Sequence, residues 1–210
     1  MSTALAQAAV SARGRWALLA LVGLFALPAA AAWVLYAFFP DAARSLGTTN
    51  HGHFVHPARA VALPALQDPD GTAIDPQFLR GKWTYVYFDT AACDEVCREN
   101  LWKMRQVRLA QGEEARRVQG VLVLTDTRAL TRLQAFLQAY PGLTVAAGPG
   151  DAARALARQF AVGGGQPAAG ARRIYIVDPA GRLMMYYGPQ ADPKGMIDDM
   201  QRLLKVSRIG

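Results

Sequence analysis

From Trp16 to Phe39 the chain carries no charged residue over 24 positions. A bilayer-spanning helix needs about 20. Backbone polar groups cannot go unpaired in lipid, so a stretch of this kind is restricted to helix. Trp16, Trp33 and Tyr36 stand toward its ends, where amphipathic rings favour the interface. Arg13 and Arg15 precede it, whereas Asp41 and Arg44 follow it and roughly cancel. The positive-inside rule then keeps residues 1–15 in the cytoplasm and exports everything after Pro40. Leu27-Pro28-Ala29-Ala30-Ala31-Ala32 resembles a signal-peptidase site. Apolar residues nevertheless continue to Phe39, too far for an ordinary signal core, and the expectation is an uncleaved anchor over 16–39.

The exported part has material for a core. The chain is 52% hydrophobic and 19% charged, which argues against global disorder. Its net charge of +7 admits a nucleic-acid reading. Lys and Arg are scattered along helix-like stretches with no zinc-finger or RNA-binding signature, so no nucleic-acid partner is expected. A basic surface also suits anionic lipid or an acidic partner. Residues 40–62 lack a clear period and contain Gly47, Gly52 and Pro57, and read as a tether. The folded domain is placed at 63–210.

Within it, Leu63–Asp68 followed by Asp70-Gly71 predicts a short strand and a tight turn. Trp83–Phe88 is β-branched and aromatic, the composition of a buried strand. Val96–Gln111 has apolar residues at helical spacing. Gly120–Asp126 reads as a central parallel strand covered on both faces. A helix over Ala129–Tyr140, a strand over Leu143–Ala147 and a helix from an Asp151 cap to Phe160 follow. Arg173–Asp178 and Arg182–Tyr187 form a hairpin, and Asp192–Lys205 a closing amphipathic helix. This order gives an α/β fold, a thioredoxin-like mixed sheet flanked by helices and preceded by one transmembrane helix.

The two cysteines of the chain, Cys93 and Cys97, stand four apart where the first buried strand meets its helix. Uniform helix geometry would set their Cα atoms about 6 Å apart, within disulfide range. Cys93 is the candidate nucleophile, favoured by the positive end of the helix, and Cys97 the resolving thiol. Asp94 and Glu95 oppose a second negative charge there, and Arg98 partly offsets them. These flanking charges predict an exposed pair. Two thiolates also suit Cu(I). A third ligand is available from His51, His53 or His56, the three histidines of the chain.

Phe88-Asp89-Thr90-Ala91-Ala92-Cys93-Asp94-Glu95-Val96-Cys97 resembles the active loop of the Sco/SenC family, with three residues between the cysteines. The lead-in Leu63-Pro64…Asp70-Gly71…Gly81-Lys82-Trp83 and the later Tyr175-Ile176-Val177-Asp178-Pro179-Ala180-Gly181-Arg182 are similar to it as well. The likeness spans residues 60–207. It implies a protein of the bacterial inner membrane with its domain in the periplasm. It further implies a role in assembling the copper centre of cytochrome c oxidase subunit II or another respiratory copper protein. The family binds copper through its two cysteines and a histidine placed just before the hairpin. This chain has Gly170-Ala171-Arg172-Arg173 there. Three readings follow: a thiol–disulfide redox protein, a Cu(I) metallochaperone using Cys93, Cys97 and a tether histidine, and a non-enzymatic membrane-anchored assembly adaptor.

Overall fold

The computed structural model describes residues 12–39, 50–148, 151–165, 167 and 170–207. Two units separate along the chain, Met1–Thr49 and Asn50–Gly210. The first holds helix α1 (Ala12–Phe38), which continues through Pro28. Its segment Gly14–Phe38 is long and apolar enough to cross a membrane. The unpaired carbonyl that a proline leaves inside a helix is tolerated in such segments.

The second unit is built on a six-stranded sheet in the order β1-β6-β5-β2-β3-β4. Its strands are β1 (His53–Ala60), β2 (Trp83–Thr90), β3 (Val118–Asp126), β4 (Leu143–Ala147), β5 (Ile174–Val177) and β6 (Arg182–Tyr187). β2, β3 and β4 run parallel, while β5 pairs antiparallel with both β2 and β6. The helices are α2 (Glu95–Leu109), α3 (Leu130–Leu137), α4 (Ala152–Gln159) and α5 (Pro193–Val206). This is the mixed, helix-flanked thioredoxin-like sheet expected from the order of elements.

β2 shows why the layers form. Trp83 through Phe88 are all buried, and alternate side chains of a strand leave on opposite faces. Trp83, Tyr85 and Tyr87 enter one core with Leu101, Met104 and Val107 of α2 and Met196, Met200 and Leu204 of α5. Val86 and Phe88 enter the other with Ala153, Leu156 and Ala157 of α4. Both cysteines belong to the first core.

Local signals behave unevenly. Asp192 caps α5, accepting from the Gly195 N–H at 3.3 Å. Asp151 occupies the cap position of α4, but its side chain accepts no helix N–H. Its carboxylate pairs instead with Arg154 at 3.0 Å. Between Leu63 and Asp68 only Gln67 joins a ladder, bridging Ala73 and Ala147. Gly71, at φ +87°, makes the turn that follows, a conformation that side chains disfavour.

The largest departure lies in the segment read as a tether. Residues 53–60 form β1, antiparallel to β6, with a register shift between Phe54 and Arg59. The strand is almost wholly exposed and shows no apolar alternation, so periodicity could not reveal it. Its anchor is polar. The buried carboxylate of Asp199 on α5 accepts from the His51 N–H at 2.9 Å, the Gly52 N–H at 2.9 Å and the Tyr187 hydroxyl at 3.1 Å. Gly52 fits because a side chain there would meet Met185 and Tyr187 at 2.7 Å. Burial, and secondarily the nearby Asp199 charge, raises the ionisation of Tyr85 far above the ordinary phenol range. Removing a buried acceptor shared by three donors is costly. Asp199→Ala is expected to lower unfolding stability by about 3 kcal/mol and to expose β1 amides to hydrogen exchange. A loss under about 1 kcal/mol, with β1 still protected, would show that the strand docks by other means.

Candidate functional site

The site begins where β2 ends. The Ala91 N–H donates to the Asp126 carbonyl at 2.8 Å, tying the loop to the end of β3. The Cys93 N–H turns back to the Thr90 carbonyl at 3.2 Å. Cys93 has φ +37°, a left-handed conformation sparsely used by residues other than glycine. Such outliers concentrate at functional loops. α2 starts two residues later, so Cys93 lies outside the helix and Cys97 inside its first turn. Uniform helix geometry therefore does not apply, and the two Cα atoms stand 5.1 Å apart, joined by a disulfide.

Asp94 is the N-cap of α2. Its side chain accepts from the Cys97 N–H at 3.0 Å, and the other oxygen takes Arg172 Nη2 at 2.6 Å. These contacts, the Cys97 N–H first and Arg172 next, lower the carboxyl below its ordinary value of 3.8. The negative charge beside the pair is thus neutralised in place. Arg172 comes from the loop before the β5–β6 hairpin, itself at φ +50°, and its carbonyl accepts from Asn100 at 3.4 Å. Behind the loop, buried Tyr87 donates to Asp89 at 2.8 Å. Burial holds this phenol well above its ordinary range, so it stays a donor.

The cysteines are not exposed as their charged neighbours suggested. Cys93 is 2% and Cys97 0% exposed. The flanking charges point elsewhere: Asp94 caps the helix, and Arg98 lies over the Phe136 ring at 5.3 Å. Ala91 and Leu133 belong to the same buried cluster as the sulfurs. A narrow cleft lined by Ala91, Ala92, Cys93, Arg98, Arg132, Leu133 and Phe136 reaches Cys93 alone of the two.

The histidines do not join them. His51 faces α5, its Nε2 4.0 Å from Asp198. His53 stacks on Tyr186 at 5.1 Å, and His56 lies 5.8 Å from the Phe54 ring. β1 is separated from β2 by β6 and β5. Three strand spacings amount to about 14 Å, beyond the reach of a single coordination sphere. Among the described residues, no group of three or more His, Cys, Asp or Glu side chains is placed to hold a metal ion. Arg172 was visible in the sequence only as the residue standing where a histidine was expected. Its pairing with Asp94, 78 positions away, had no local signal.

Residues 83–207 match the family model described as transmembrane-like, thioredoxin-like, C-terminal domain. The chain belongs to that family. No curated protein matches the sequence. Among solved structures, this thioredoxin-like chain is similar to Bradyrhizobium japonicum ScoI with copper bound: 21% identity, TM-score 0.52, covering 68% of this chain and 99% of that one. Yeast Sco1 with copper bound gives 17%, TM-score 0.59, 73% and 96%. BsSco, a member of the Sco family of cytochrome c oxidase assembly proteins in which a disulfide switch was identified, gives 14%, TM-score 0.52, 74% and 100%. At these identities the likeness is one of fold.

The depressed carboxyl of Asp94 fixes a sign. A group held below its unfolded value stabilises the fold above that value and loses the contribution as pH falls through the folded one. Asn caps a helix about as well as Asp, so Asp94→Asn isolates the charge facing Arg172. The wild type is expected to melt about 2 °C above this variant at pH 7, an advantage that fades below pH 3.8. A gap independent of pH between 7 and 3 would remove the ion pair from the account.

Proposed function

We propose that the chain is a membrane-anchored, periplasm-facing thiol–disulfide redox protein that assists assembly of the copper centre of cytochrome c oxidase. The observation that carries the reading is the Cys93–Cys97 disulfide, set between the end of the central strand and the first turn of α2. A helix N-terminus favours the thiolate needed for exchange, and burial opposes it. The balance supports a moderate thiol acidity rather than an extreme oxidant. Cys93 faces the cleft and acts as the exchanging sulfur, with Cys97 as its resolving partner. Arg13 and Arg15, just ahead of the uncharged run Trp16–Phe39, support this orientation under the positive-inside rule.

The oxidase context comes from the Sco proteins that share the fold, one of which is named for a disulfide switch and others for bound copper. The residues here fit the first better than the second. The two sulfurs are bonded to each other, and the side chain that the loop before the hairpin brings to Asp94 is a guanidinium, which repels a cation. The copper ligand set of two thiolates and a histidine is therefore not met by the described residues, and no step is drawn through copper.

The test pairs chemistry with biology. The full chain in detergent is expected to show one disulfide, reversibly reduced with two electrons, that is absent from Cys93→Ser and Cys97→Ser. In cells lacking the chain, either variant is expected to leave oxidase copper content at the deletion level. Full restoration by the double serine variant would overturn the redox reading and favour an adaptor.

A further inference from the structure

The cleft at Cys93 has a composition that the redox chemistry alone does not require. Its floor is apolar, from Ala91, Ala92, Leu133 and Phe136, and its rim carries Arg98 and Arg132. Neighbouring arginines are neutralised within the chain: Arg172 by Asp94, and Arg128 by Asp126 at 2.5 Å. Arg98 and Arg132 have no acidic partner among the described residues. Arg98 donates through Nε to the Cys93 carbonyl at 3.2 Å and lies over the Phe136 ring at 5.3 Å, which holds its guanidinium beside the loop bearing Cys93. Arg132 is exposed. The acidic residue left nearby, Glu95, is exposed one position past the cap and does not line the cleft. Two unmatched cations beside a reactive sulfur, on a chain of net charge +7, call for an anionic counterpart.

The cleft is too slight to enclose a small molecule, whose sites run to roughly 300–1,000 Å³. Cys93 is only 2% exposed, so an attacking thiol meets it at the mouth of the cleft, where a larger body can face both arginines at once. We propose that the cleft docks an acidic, cysteine-bearing loop of the redox partner protein. The thiol is presented at the mouth of the cleft, between Arg98 and Arg132, while carboxylates beside it pair with the two guanidiniums. This rests on the redox reading above. In the exchange, the partner thiolate attacks Cys93 Sγ and forms a mixed disulfide. The Cys93–Cys97 bond breaks with its electron pair leaving on Cys97 Sγ. A second partner thiolate then attacks the partner's own sulfur in the mixed disulfide and releases Cys93 as thiolate. The partner leaves oxidised by two electrons, and the two protons lost by its thiols are taken up through solvent by Cys93 and Cys97. When the chain acts as reductant, the same steps run in reverse.

The experiment uses the oxidised full chain in detergent and two synthetic dithiol peptides of equal length. In one the cysteines are flanked by Glu, in the other by Lys. Reduction rates are referred to each peptide's thiolate concentration, with reduced glutathione and dithiothreitol alongside. The Glu peptide is expected to react about tenfold faster than the Lys peptide at low salt. That ratio should shrink toward one at high salt and invert in Arg132→Glu and in Arg98→Glu/Arg132→Glu. A wild-type ratio near one, or a ratio unmoved by Arg132→Glu, would overturn the docking proposal while dithiothreitol still reduced the bond. A glutathione rate that matched the Glu peptide and fell equally in Arg132→Glu would also overturn it, assigning the site to a small anionic thiol. Failure of dithiothreitol to reduce the wild-type bond would instead sink the redox reading on which it rests.

Discussion

A strand buried on both faces can satisfy its polar backbone only inside a sheet, and β2 has β3 on one side and β5 on the other. Its position settles most of the rest. The parallel neighbour forces a crossover, supplied by α2, and the start of that crossover is the loop bearing Cys93. The antiparallel neighbour belongs to the hairpin whose preceding loop delivers Arg172 to Asp94. The disulfide is therefore fixed from both sides by elements that also build the core, and both sulfurs count among its buried residues.

The parts legible in the sequence are those where a single segment carries its own reason. Trp83–Phe88 and Gly120–Asp126 are apolar runs bounded by turns, and each forms a central strand. Leu143–Ala147 is placed to the residue. Asp192 caps its helix as the pattern suggests. What stayed hidden depends on distant partners. β1 has an exposed face and a polar anchor, 147 positions away at Asp199, so neither composition nor period marks it as ordered. Asp151 has the chemistry of a cap and is drawn instead to Arg154.

The candidate site divides along the same line. The cysteine pair was found from spacing alone, and its location at the strand–helix junction followed. Its burial did not, because Asp94 and Arg98 look solvent-directed until a helix end and the Phe136 ring claim them. Clustering in sequence also misled about the histidines. His51, His53 and His56 are close along the chain, yet His51 lies ahead of β1 and faces α5, while His53 and His56 on the edge strand turn to Tyr186 and Phe54.

The exposed border of β1 bears on how such molecules behave together. An outer strand presents unmatched donors and acceptors that invite a neighbouring molecule to extend the sheet. Here that strand contains Pro57, which offers no N–H, beside Arg59, and its pairing is irregular between Phe54 and Arg59. At the opposite border, Gln67 exchanges two hydrogen bonds with Ala147 at 2.7 and 2.8 Å and covers part of β4. Neither border offers a long, flat template, so copies of this chain held at high local density can stay separate.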